Sequence, residues 1–103
     1  MKPIEFKGIV VKIGPVERPN EKVEMVNLDV MEPGYVDGFG DKKGTDTVYR
    51  IKIFNDAIGK FPGNIETGTK VNVKFYLNSK EYTRQDGTTD YNTYMNLSEI
   101  KKI

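Results

Sequence analysis

The sequence predicts an all-β fold: a five-stranded barrel with one short helix between the third and fourth strands. Three observations carry that expectation. Apolar and polar residues alternate with a period of two in several separate stretches, the pattern of strands with one buried face. One short segment, Asn55–Phe61, has helix-capping residues at its start and Pro62-Gly63 at its end. The last two strands are joined across Asp86-Gly87, which supplies the positive φ angles of a tight reversal.

Taken in order, Glu5 to Gly14 reads as the first strand, with Ile9, Val11 and Ile13 on one face and Gly8, Val10 and Lys12 on the other; Gly14-Pro15 ends or bends it. Arg18-Pro19-Asn20-Glu21 makes a reversal. In the second strand Val26, Leu28 and Val30 alternate with Met25, Asn27 and Asp29, and Pro33-Gly34 stops it. A long Gly-rich loop at about 32–46 holds Gly34, Gly38, Gly40 and Gly44 with Tyr35, Phe39, Lys42 and Lys43. Loops of that length are functional or disordered more often than neutral, so it reads as a flap over a ligand or as a solvated loop in which Asp37, Asp41 and Asp46 offset the lysines.

The third strand, Thr47 to Phe54, sets apolar Tyr49, Ile51 and Ile53 against Val48, Arg50, Lys52 and Phe54. One face is a core face and the other is cationic with an aromatic at its end. The helix that follows is too short to be stable alone. Val71, Val73, Phe75 and Leu77 then alternate with Asn72, Lys74 and Tyr76 in the fourth strand. After the arm Lys80-Glu81-Tyr82-Thr83-Arg84-Gln85-Asp86-Gly87, the fifth strand runs through Tyr91, Thr93, Met95 and Leu97. Five strands with a helix between the third and fourth is the plan of the OB-fold, here one domain over residues 1–103.

Composition narrows the chemistry. The chain of 103 residues has neither histidine nor cysteine, which removes zinc sites, thiol nucleophiles, disulfides and His-based proton relays. No carboxylate pair or Gly-rich phosphate loop stands out, so neither an enzyme nor a cofactor or metal site is expected. No apolar run approaches the ~20 residues of a membrane span, and the N-terminus lacks a secretory signal; no membrane partner and a cytoplasmic location are expected. Net charge is only +1, but it is unevenly spread: residues up to Asp46 carry 7 basic and 9 acidic side chains, and those from Thr47 onward 9 basic and 6 acidic. The cationic half contains the arm.

The residues from Ile65 to Leu97 resemble the bacterial and phage single-stranded DNA-binding proteins. The resemblance rests on Ile65-Glu66-Thr67-Gly68-Thr69-Lys70-Val71, Lys80-Glu81-Tyr82, Asp86-Gly87 and Tyr91-Asn92-Thr93, and upstream on Arg50-Ile51-Lys52-Ile53-Phe54, with a looser match over the first strand. It implies sequence-independent binding of single-stranded DNA, and by extension RNA, in replication, recombination or repair, and a homo-oligomer, dimer or tetramer. Phe54 would be the stacking phenylalanine of the third strand, Tyr82 would stand where the family has a stacking tryptophan, and Arg50 and Lys80 would contact the backbone. Val48 stands where the family commonly has a second tryptophan, and Asn78 and Glu81 replace basic residues, so weaker binding than in a typical member is expected.

The candidate nucleic-acid-binding residues are thus Arg50, Lys52, Phe54, Tyr76, Lys80, Tyr82, Arg84 and Tyr94. Exposed aromatics next to cations stack on unpaired bases without regard to base identity. Each has a plainer reading: Phe54 as a plug of the barrel bottom, Tyr82 as a cross-strand partner on a solvated hairpin, Tyr76 and Tyr94 as rings packed on each other. Lys12 reads as ordinary surface, and Met25 and Met31 as residues facing bases, a partner chain or the core. The rival function is an OB-fold used for protein interaction or assembly without nucleic acid, because the fold alone dictates no ligand.

Overall fold

Gly8 fixes how the first strand enters the structure. A Cβ there would stand 2.5 Å from the Met31 carbonyl oxygen and 2.8 Å from Val30 Cγ1, so only glycine allows the strands to approach this closely. The first strand, β1 (Ile4–Ile13), pairs antiparallel with two neighbours in turn, β7 (Lys70–Thr83) over Ile4 to Ile9 and β3 (Val23–Glu32) over Ile9 to Ile13, with a register shift between Val10 and Lys12. That change of partner closes the barrel.

The computed structural model describes all residues but 1 and 37, and the backbone alone at 35, 36, 42 and 43. β3 also pairs with β6 (Thr47–Phe54), and β6 runs parallel to β8 (Thr89–Lys102) through Ile51–Met95 and Lys52–Asn96. β8 pairs with β7 along nearly its whole length, so the closed order is β1-β7-β8-β6-β3-β1. This is the expected all-β, five-stranded OB-fold barrel, with the helix α1 (Asp56–Gly59) between the third and fourth barrel strands.

Three local features differ from the sequence expectation. Glu17–Asn20 forms an added strand, β2, on the edge of β3, where only a reversal was expected; Glu-Arg-Pro-Asn has no apolar alternation to announce it. The long loop carries a two-stranded ladder of β4 (Tyr35–Val36) and β5 (Lys42–Lys43), and its base is tied by the Gly34 N–H donating to Asp46 Oδ1 at 2.8 Å. The side chains of Tyr35, Lys42 and Lys43, and Asp37 altogether, lie outside the described residues. Finally, Asn55 occupies the helix N-cap with φ 49° but makes no side-chain cap. Its Oδ1 instead accepts from the Glu24 N–H at 3.0 Å, and its N–H donates to the Glu24 carbonyl at 2.9 Å, binding the helix start to β3.

The core is the inward row of each barrel strand. Val26, Leu28 and Val30 of β3, Ile51 and Ile53 of β6, and Val71, Val73 and Phe75 of β7 are buried, as their alternation predicts. On β1 it is the face with Phe6, Gly8 and Val10 that turns inward, while Val11 and Ile13 stay exposed. Phe6, Tyr49 and Phe75 meet as an aromatic cluster with ring centroids 4.4 to 6.0 Å apart. Beyond Leu77, which is 37% exposed, the inward row of β7 has no barrel to enter. There β7 and β8 pair only with each other and leave the barrel as a two-stranded arm.

Candidate nucleic-acid interface

The alternation that buries Ile51 and Ile53 of β6 turns Arg50, Lys52 and Phe54 to the outer face. The same parity on β7 and β8 puts Tyr76, Asn78, Lys80 and Tyr82 on the face they share with Asp90, Asn92, Tyr94 and Asn96, which the cross-strand register pairs directly. Four strands are spanned by one row: Asn27 faces Lys52, Lys52 faces Asn96, and Asn96 faces Tyr76. Seven of the eight candidate residues therefore belong to one outer face, running from β6 across β8 and β7 and out along the arm; Arg84, beyond the end of β7, is tied to that face by its ion pair with Asp90.

Phe54 and Tyr94 meet edge to face, with centroids 5.7 Å apart at an interplanar angle of 74°. Lys52 Nζ sits 5.8 Å from the centroid of the Tyr94 ring, within cation–π range. Phe54 is half-buried and lies outside the core cluster, so it does not plug the barrel. Tyr94 takes its ring contact from Phe54. Tyr82, on the arm, is 44% exposed, and an open recess of about 360 Å³ is bordered by Lys80, Glu81, Tyr82 and Asn92.

The cations differ in how free they are. Arg50 Nε and Nη2 donate to Asp29 Oδ1 and Oδ2 at 2.9 and 3.0 Å, a two-point pair in which Asp29 is buried and the Arg50 side chain 60% exposed. The Arg50 hydrogen bonds hold the Asp29 carboxyl below the usual carboxylate range against the opposing effect of burial, with smaller help from the charges of Arg50 and Lys12; the pair raises Arg50 in return. Arg84 is ion-paired with Asp90. Lys74, on the same face of β7, lies 3.6 Å from both Glu5 and Glu99. Among the described residues, Lys52 and Lys80 form no ion pair.

At the arm tip, the Gly87 N–H donates to the Arg84 carbonyl at 3.0 Å and the Arg84 N–H to the Thr88 carbonyl at 2.8 Å. Gly87 alone has positive φ, 86°, which corrects the expectation that Asp86 shares it. Asp86 instead accepts from the Thr88 hydroxyl at 2.6 Å and the Thr88 N–H at 2.9 Å, and these bonds lower its pKa. Asn27 and Asn96, which complete the cross-strand row, carried no signal in the sequence, since only the register of three strand pairs brings them there.

No family model and no curated protein matches the chain. Among solved structures it is similar to the Plasmodium falciparum SSB in its complex with ssDNA, with a TM-score of 0.67 and 14% sequence identity over 100% of this chain and 95% of that one. The likeness is one of fold. The chain thus shares the OB-fold of that structure, and the resemblance to the bacterial and phage proteins remains a reading of its residues.

Proposed function

We propose that this chain is a non-enzymatic, single-domain OB-fold module that binds single-stranded DNA in preference to duplex, in replication, recombination or repair. The observation that carries the reading is the continuous outer face on which Phe54, Tyr94 and Tyr82 stand with Lys52 and Lys80. Aromatic rings flanked by unpaired cations stack on any base and steady its phosphate, so most of the binding is independent of sequence. Arg50, Arg84 and Tyr76 extend the same track, the two arginines with part of their charge held by Asp29 and Asp90. An arm projecting from the barrel lets a strand be followed beyond the barrel wall. Cytoplasmic location and self-association as a dimer or tetramer belong to this reading.

A second reading has a specific observation in its favour. Two of the four site cations are ion-paired and net charge is only +1, which suits a protein-interaction module with little pull on phosphate. Fluorescence anisotropy with labelled oligo-dT and with a duplex of equal length separates the two. Tight binding of dT with weak binding of duplex supports the DNA-binding function; silence with both, by folded protein, overturns it.

A further inference from the structure

We propose that the recess between the β1–β2 turn and the outer faces of β3 and β6 is a nucleobase pocket that favours guanine. The inference rests on the single-strand-binding function above and adds to it one position that reads a base. The recess has a volume of about 160 Å³ and is lined by Lys12, Gly14, Glu17, Asn27, Asp29 and Arg50. A single water's share of liquid volume is about 30 Å³, so the recess is of ligand size.

Its polar groups have a definite sense. Asn27 Nδ2 donates to Glu17 Oε2 at 3.1 Å, which fixes the amide orientation, since the reverse would set a carbonyl oxygen against a carboxylate. Asn27 Oδ1 is therefore the remaining atom, and it is buried with no hydrogen-bond partner. A buried acceptor without a donor is destabilising until a donor reaches it. Beside it stands the Glu17 carboxylate, also an acceptor, on the edge strand β2, which pairs with β3 through Glu17–Met25 and Asn20–Val23. On the other side stand the cations Lys12 and Arg50, the latter anchored by Asp29.

Two neighbouring acceptors facing cations ask for a flat ligand with two adjacent N–H donors and an acceptor edge. Guanine presents N1–H and the 2-amino group side by side, with O6 and N7 as acceptors; adenine, cytosine and thymine each have one donor group on their pairing edge. The pocket also opens where a bound strand would pass, because Asn27 faces Lys52 across β3 and β6 and Arg50 belongs both to the recess and to the track.

The test is anisotropy with an oligo-dT, the same oligomer carrying one dG, and the same oligomer carrying one deoxyinosine, which lacks the 2-amino group. The dG oligomer is expected to bind at least about fivefold tighter than dT, with deoxyinosine falling back toward dT. Asn27→Ala and Glu17→Ala, each with its fold checked by circular dichroism and melting, are expected to bring the dG affinity down to that of dT. Equal affinity for dG, deoxyinosine and dT in the intact protein, with dT binding retained, overturns the pocket and leaves the function standing, as does a dG preference that survives both substitutions. Failure to bind any single strand overturns the function and the pocket with it.

Discussion

Arg50 shows how much a partner changes a residue. By itself, Arg50 on the outer face of β6 would be a free cation; across the strand pair Asp29 claims two of its N–H groups. That pair was hidden in the sequence, because Asp29 and Arg50 are 21 positions apart and only the β3–β6 register sets them face to face. Asp29→Asn should free Arg50 for phosphate: we expect the salt dependence of single-strand binding to steepen by about 0.7 in log–log slope, one phosphate contact. Because the Asp29 pKa is lowered in the folded protein, its contribution to stability is full above the unfolded value of about 3.9 and is lost as pH falls through the lower folded value. Wild type should therefore lose stability over that acid window more steeply than Asp29→Asn, as melting temperatures at stepped pH would show. Phe54, by contrast, stood opposite the core face of its strand by parity, with a plug of the barrel bottom as the other reading, and its contact with Tyr94 needed the fold.

At the level of elements, the glycines of β1 and of the arm tip separate two kinds of constraint. Gly8→Ala drives a methyl into a backbone oxygen that cannot move aside, so a stability loss of about 1–3 kcal/mol is expected, felt throughout the barrel. Gly87→Ala meets nothing within 4 Å but must hold φ at 86°, which costs about 1–2 kcal/mol and stays local to the arm. Hydrogen exchange would tell them apart: Gly8→Ala should speed exchange in the core strands, Gly87→Ala only near the tip. Alternation made the barrel strands of the central and late chain readable. It could not choose between the two faces of β1, because Ile9, Val11 and Ile13 alternate as well as Phe6, Gly8 and Val10, and the inward face is set by the close approach at Gly8. β2 stayed hidden because an edge strand with every residue exposed has no apolar row. The register shift between Lys74 and Phe75, where β8 takes up one more residue than β7, was equally silent.

The whole molecule is extended by its arm. A radius of gyration of 16.1 Å exceeds the ~13 Å of a compact chain of this length, and the extents are 54 × 34 × 25 Å. The buried core lies entirely outside residues 80–92, so replacing that stretch by a two-residue turn should leave a cooperatively folded barrel while weakening single-strand binding at least tenfold, the loss of roughly one stacked base and one phosphate contact. Of the four site cations, Lys52 and Lys80 form no ion pair among the described residues while Arg50 and Arg84 do, so the intact protein should show a shallow salt slope, between about −1 and −2, where four free cations would give about −3. The most direct measurement of the central claim is the affinity of the Phe54→Ala, Tyr82→Ala double variant for oligo-dT, with its fold verified by melting. A folded protein that has lost about 2–6 kcal/mol of binding, the worth of two stacked bases, is the predicted result. A folded double variant that binds dT as tightly as the wild type would contradict it.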